Sequence, residues 1–207
     1  KQLRYAIEFH APLYGDEAQR LIRAGSVRVN GQVADKPGRV APDDARVELE
    51  QGARFVSRGG EKLEAALERF RIDVRDCIAL DVGASTGGFT DCMLQRGARK
   101  VYALDVGRGQ LHAKLLADDR VVVMDGTNVR YLGPDDLPER VDLATFDLSF
   151  ISLEKTLPAV LPHLVPGGHL LAMVKPQFEV GKGKVGKGGI VKDTHLHEAV
   201  IDRMCAF

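Results

Sequence analysis

The sequence predicts two domains: a small α+β unit, then a parallel, doubly wound α/β sheet of the Rossmann-like kind. Two observations carry the second domain. The apolar run Ile78–Val82 leads into a glycine-rich turn, Gly83-Ala84-Ser85-Thr86-Gly87-Gly88, and then into a helical stretch. A parallel sheet opens a nucleotide-type pocket in this way, at the carboxyl end of its first strand. From Cys77 onward, further apolar strand candidates alternate with helical stretches, the pattern of βα repetition. The first domain rests on a third observation, an Asn30-Gly31 pair inside an alternating segment, which is a strong hairpin signal.

In chain order, Asp16–Gly25 reads as a short helix, with Asp16 as N-cap and Gly25 as its stop. Val27-Arg28-Val29, Asn30-Gly31 and Gln32-Val33 follow as a hairpin, and Arg46–Leu49 as a further strand. This unit is placed at residues 1–54. Residues 55–62 read as a connector in which Gly59-Gly60 breaks the chain, and Glu61–Arg71 carries helical apolar spacing at Leu63, Ala66, Leu67 and Phe70. The larger domain is placed at residues 63–207. Its strands are expected at Ile78–Val82, Lys100–Leu104, Val121–Met124, Val141–Phe146 and His169–Val174, and a last helix at Leu196–Phe207. No strand follows that helix, so the sheet is expected to lack one or two carboxy-terminal strands of its class.

Composition narrows the class. With 44% hydrophobic residues the chain can build a core. No run reaches the ~20 apolar residues of a membrane span, and no secretory signal is visible, so a cytoplasmic protein with no membrane partner is expected. The three cysteines, Cys77, Cys92 and Cys205, show no paired spacing, which fits a reducing compartment and gives neither a disulfide scaffold nor a zinc site. His195-x-His197 has no acid or cysteine at ligand spacing, so no metal is expected. The formal net charge is zero, yet residues 175–192 carry five lysines against one acid. A neutral total therefore conceals a basic loop able to meet phosphates.

The strand ends carry the chemistry. Asp81 and the glycine turn (Gly83, Ala84, Ser85, Thr86, Gly87, Gly88, with Phe89 behind) close the first strand, and Asp105-Val106 the second. An acid about twenty residues past the turn suits ribose hydroxyls. Asp125 closes the third strand, followed by Thr127 and Asn128, which suit an adenine edge. Asp147 closes the fourth and Lys175 the fifth. A hydride-transferring dehydrogenase would want Gly-x-Gly-x-x-Gly at this turn, where the sequence is Gly83-x-Ser85-x-Gly87-Gly88, and no dehydrogenase acid–base set is recognisable. Gly83-Ala84-Ser85-Thr86-Gly87 formally fits the elbow of a serine hydrolase, but it follows the first strand of its domain and leaves Asp81 unexplained. A pocket for S-adenosylmethionine needs a glycine turn, a ribose-binding acid and an adenine-side polar residue, and all three occur in order. A base-amino methyltransferase would offer Asn-Pro-Pro-aromatic after the fourth strand; here the segment is Asp147-Leu148-Ser149-Phe150.

Two resemblances refine this. Ala18–Gly31 with Lys36-Pro37 is similar to the S4-type RNA-binding module, although residues 1–15 depart from its usual first helix. Ser57-Arg58-Gly59-Gly60-Glu61-Lys62-Leu63, Asp81–Thr90, Asp105-Val106-Gly107, Asp147–Leu153 and Val174–Gly181 together resemble the TlyA (hemolysin A) family. That family implies an S4-like domain joined to an FtsJ-like domain that uses S-adenosylmethionine to methylate ribose 2′-hydroxyls of ribosomal RNA. Lys62, Asp147 and Lys175 resemble three members of the Lys-Asp-Lys-Glu tetrad of FtsJ-like enzymes. The family pattern places the fourth, a glutamate, well downstream of Lys175 and beyond Phe207; Glu179 and Glu198 stand in the wrong context. The alternatives are an RNA-binding protein of weak catalysis on the same fold, or a membrane-active hemolysin.

On this reading Lys175 is the general base, Asp147 holds it, and Lys62 orients the ribose or offsets charge on its oxygen. The partner is ribosomal RNA or a ribosomal subunit. Its contacts are expected from Arg20, Arg23 and Arg28 in the small domain, from Arg58, and from Lys182, Lys184 and Lys187 in the glycine-rich loop that follows Lys175. That loop is no Walker A motif, since Gly188 stands where the motif requires Ser or Thr after Gly186-Lys187.

Overall fold

A computed structural model describes residues 19, 22, 27–34, 36–38, 40–42, 44–49, 54–181 and 183–207. The chain divides into two compact units, Lys1–Arg54 and Phe55–Phe207.

In the first unit, strands β1 (Val27–Val29), β2 (Gln32–Val33) and β3 (Val47–Leu49) form an antiparallel sheet in the order β2-β1-β3. Asn30 and Gly31 both take positive φ, +51° and +77°, the geometry of a hairpin turn whose twist matches its strands. Asn30 also accepts from the Arg46 amide through Oδ1 at 2.8 Å and donates its own N–H to the Arg46 carbonyl at 2.9 Å. This one residue therefore closes the turn and holds β3. Ile22, Val27, Val29, Ala34, Ala41 and Ala45 form a small core of their own.

The second unit is a five-stranded parallel sheet of order β6-β5-β4-β7-β8. Its strands are β4 (Ile78–Val82), β5 (Lys100–Asp105), β6 (Val121–Asp125), β7 (Val141–Phe146) and β8 (Leu164–Ala172). The described helices are α1 (Gly59–Phe70), α2 (Gly88–Gln95), α3 (Ala113–Leu116), α4 (Leu157–Val160), α5 (Pro176–Glu179) and α6 (Thr194–Ala206). Every residue of β4 is buried, as expected for a central parallel strand covered on both faces. Alternation divides it. Ala79 joins Leu63 and Leu67 of α1 and Cys92 and Met93 of α2, while Ile78, Leu80 and Val82 join Leu104, Ala144 and Phe146 on the other face. The chain leaves β4 toward β5 on one side, and β7 lies on the other. The switch of direction thus opens a crevice at the carboxyl ends of β4 and β7, where ligands bind in open α/β sheets. Among the described residues no helix is long and apolar enough to cross a membrane.

Three expectations need correction. Gly59-Gly60 does not break the chain but forms the first turn of α1. The Phe55 ring occupies the place of a Gly60 side chain, so the glycine is there for packing. For the same reason residues 55–62 are no free connector: Phe55 is buried in the core of the larger unit, and Lys62 sits one turn into α1. Strand β8 begins at Leu164 rather than His169. Val141 pairs with Leu164, but Leu143 pairs with His169, so Pro166-Gly167-Gly168 lies in a bulge that no alternation signals.

Candidate active site

The glycine turn is bound to β5 before any ligand is considered. The amides of Gly83 and Ala84 both donate to the Leu104 carbonyl, at 2.9 and 3.1 Å. Gly83 has φ +90°, and a Cβ there would lie 3.1 Å from the Asp147 carbonyl oxygen, so this position holds the end of β4 against the segment after β7. Asp105 then acts as a brace. Its Oδ2 accepts from the Ser85 amide at 2.8 Å and its Oδ1 from the Gly107 amide at 2.7 Å. Both oxygens keep further lone pairs for a ligand.

Two adjoining clefts meet at Gly83, Ser85, Asp147 and Ser149. One, of about 840 Å³, lies between the start of α1 (with Arg58, Lys62), the turn Gly83–Thr86, the start of α2 (Gly88, Phe89) and Lys175. The other, of about 500 Å³, is bounded by Asp105, Val106, Gln110, Thr127 and Asn128 and by the apolar side chains of Leu104, Leu148 and Ile151.

At their junction Asp147 stands between two cations. Lys62 Nζ lies 3.4 Å from Oδ2 and Lys175 Nζ 2.5 Å from Oδ1. Lys175 is the more enclosed, with 18% of its side chain exposed against 52% for Lys62, so its pairing is the less screened by water. It also donates to Ser149 Oγ at 3.2 Å. Each carboxylate oxygen of Asp147 is thus engaged by one lysine. Phe150 stands at the mouth, 91% exposed, with φ +67° and its ring centroid 5.2 Å from that of Phe178.

Several expected site residues lie elsewhere. Asp81 does not reach either cleft. Alternation along β4 turns it, with Ala79, toward α2, where it is fully buried. Its Oδ2 accepts from the amide and hydroxyl of Thr90 at 2.9 and 2.7 Å, and its Oδ1 from Thr145 Oγ1 at 3.3 Å. Burial is the dominant influence on this carboxyl and pushes its pKa up to about 6. Gly87 also lines neither cleft. At φ +94° it is the N-cap of α2, and the side chains of Leu111 and Leu115 fill the place of a Cβ. Asp125 lines neither; its Oδ2 accepts from the Gly109 amide at 2.7 Å.

The expected residues that do line the clefts are Lys62, Gly83, Ala84, Ser85, Thr86, Gly88, Phe89, Asp105, Val106, Thr127, Asn128, Asp147 and Lys175, together with Arg58. Sequence reasoning did not assign Ser57, Gln110, Ser149, Phe150 or Ile151 to the site. Of these, Ser57 lies in Ser57–Leu63 and Ser149, Phe150 and Ile151 in Asp147–Leu153, while Gln110 carries no signal in the sequence. Arg20, Arg23 and Lys182 lie outside the described residues. Arg28 is on β1 and donates to the Gly31 carbonyl at 3.2 Å, and Lys184 and Lys187 are exposed. Among the described residues no group of three or more His, Cys, Asp or Glu is placed to hold a metal ion. His195 lies in the first turn of α6, whose N-cap is Asp193, and the His197 ring nitrogen Nε2 is 2.8 Å from the Val191 carbonyl.

A braced glycine turn, an acid at the next strand end and a carboxylate between two lysines define a group-transfer site on an open nucleotide-binding sheet. The FtsJ-like methyltransferase family matches residues 55–207, and the S4 domain matches residues 16–46. The chain belongs to the FtsJ-like methyltransferase family, in its TlyA group. It is 50% identical over 194 residues to the candidate rRNA methyltransferase YqxC of Bacillus subtilis, spanning 93% of this chain and 69% of that one. It is 48% identical over 182 residues to the 16S/23S rRNA (cytidine-2′-O)-methyltransferase TlyA of Mycobacterium tuberculosis, spanning 87% of this chain and 68% of that one. Among solved structures, a candidate hemolysin from Streptococcus thermophilus superposes with a TM-score of 0.74 at 44% identity, covering 100% of this chain and 77% of the other.

Proposed function

We propose that this chain methylates a ribose 2′-hydroxyl of ribosomal RNA, using S-adenosylmethionine, and that a pyrimidine nucleotide is its target. The observation that carries the proposal is Asp147 between Lys62 and Lys175 at 3.4 and 2.5 Å, where the two clefts meet. The names of the relatives agree, since one is a cytidine-2′-O-methyltransferase acting on 16S and 23S rRNA.

The smaller cleft has the donor set and shape for an adenosine. It offers carboxylate oxygens at Asp105, polar edges at Thr127, Asn128 and Gln110, and apolar walls at Leu104, Leu148 and Ile151. S-adenosylmethionine bound there supplies an electrophilic methyl group on a cationic sulfur. The chain's own residues do the rest. To serve as general base Lys175 must first give up the proton of its ion pair with Asp147; it then takes the proton of the hydroxyl as the ribose oxygen attacks the methyl group, and Asp147 holds the lysine in place and stabilises the ammonium that re-forms. Lys62 offsets negative charge on the attacking oxygen. General-base assistance contributes typically ~10²–10⁴ in rate, so alignment of the reactants in the larger cleft carries much of the remainder. The exposed Phe150 ring offers a face on which an unstacked base can rest. Arg58 beside the cleft, and Lys184 and Lys187 in the following loop, offer charge to the RNA backbone.

The test is calorimetric titration of S-adenosylmethionine into the full-length protein, with and without ribosomal RNA, paired with radiolabelled methyl transfer and mapping of the modified nucleotide. Asp105→Ala is expected to remove binding. Lys175→Ala is expected to keep binding and lose transfer. Absence of binding under both conditions would overturn the proposal, as would a label found on a base.

A further inference from the structure

The two strand-end segments that carry Asp147 and Lys175 have different parents, β7 and β8, and the Asp147–Lys175 contact needs both to hold one distance. A carboxylate the mechanism does not use ties them together. Glu179 ends α5, four residues after Lys175, and only 2% of its side chain is exposed. Its Oε1 accepts from the Leu153 amide at 2.8 Å and its Oε2 from Ser152 Oγ at 2.6 Å. Both donors belong to the segment that leaves Asp147. Ser152 in turn caps the short 3₁₀ helix Leu153–Lys155, accepting from the Glu154 amide at 3.3 Å.

A third element closes the arrangement. Arg203, from α6, donates through Nη2 to the Glu179 carbonyl at 2.8 Å and lies 3.4 Å from its Oε2, while its Nε is 2.8 Å from Glu154 Oε1. One guanidinium thus spans both segments, and the Phe150–Phe178 ring pair bridges them again. A carboxylate this buried is retained only with its acceptors filled, and here they are filled by the segment it has to hold.

We propose that Glu179, backed by Arg203, is a positioning residue that sets the Asp147–Lys175 geometry by latching the segment after β7 to α5. This inference rests on the methyltransferase reading of the site. Removing the latch lets the two segments drift, and a misplacement of order 1 Å costs about 10²-fold in rate.

The test compares single-turnover methyl transfer and S-adenosylmethionine affinity in Glu179→Ala, Glu179→Gln and Arg203→Ala, each at a temperature where thermal melting shows the variant folded. Glutamine can still accept from Leu153 and donate to Ser152 Oγ, so Glu179→Gln is expected to recover most of the rate that Glu179→Ala loses, and Arg203→Ala to fall between them. The decisive arm is the pair Asp147→Ala and Asp147→Ala/Glu179→Ala. If Glu179 acts through Asp147, the double variant transfers methyl no more slowly than Asp147→Ala alone. Losses that multiply in the double variant would overturn the latch, as would full activity in Glu179→Ala. A wild-type protein that binds S-adenosylmethionine but methylates no RNA would overturn the reading beneath it instead.

Discussion

Ser57 Oγ occupies the space where Gly88 would carry a side chain. A Cβ on Gly88 would also lie 2.9 Å from the Gly60 amide nitrogen and 3.1 Å from the Gly59 Cα. The serine hydroxyl could turn aside, but those backbone atoms could not. The amino ends of α1 and α2 therefore approach as closely as they do because glycine meets glycine, and this approach brings Lys62 over the turn.

Gly88→Ala should consequently part the two helices. Overpacking of this kind costs about 1–3 kcal/mol, read as a lowered chemical-denaturation midpoint. The loss of methyl transfer should exceed what the unfolded fraction explains, because Lys62 moves with α1. A variant that keeps wild-type stability and rate would show that α1 does not depend on this contact.

Asp81 gives the pH dependence an unusual sign. Burial raises its carboxyl from the ordinary 3.8 to about 6 in the folded chain, so the native state binds the proton more tightly than the unfolded one. The contribution is fully present below about pH 4 and is lost as pH rises through about 6, a swing on the order of 3 kcal/mol. It opposes the ordinary loss of stability on acidification. Asp81→Asn should remove this component, so the stability difference between variant and wild type should change between pH 4 and 6 and stay flat from 7 to 8. A difference independent of pH would place the titration elsewhere.

Lys184 and Lys187 test the nucleic-acid side. Neither lines a cleft, so Lys184→Gln/Lys187→Gln should leave S-adenosylmethionine affinity unchanged. RNA binding should weaken and the slope of log affinity against log salt should shrink by about one per lost phosphate contact. An unchanged slope would remove the loop from the interface.

Much of this was legible in the sequence, for local reasons. Gly83 and Ser85 announce a turn, and the apolar runs before Asp105, Asp147 and Lys175 announce strands whose ends face one edge. Pattern alone does not place Asp81, because a strand-end acid can point up into the crevice or sideways under a helix. The alternation set by Ala79 decides between these, and it becomes visible only when α1 and α2 cover one face. Gly59-Gly60 looked like a break because glycine's use in close packing depends on Phe55 and Gly88, which pattern alone does not bring to it. Glu179 could not be placed at all, since its partners Ser152 and Arg203 are brought to it by β8 and α6 and not by spacing.

Phe150 places folding and chemistry in opposition. Its left-handed backbone suits glycine or asparagine better than an aromatic residue, and apart from its contact with Phe178 its ring stands in water, outside the core. Glycine there would relieve strain and remove a sticky surface in one step. A library selected for heat resistance should thus drift away from phenylalanine at this position, and one selected for methylated RNA should hold it. The site would then be found, with no ligand present, as the place where two selections on the same chain part company.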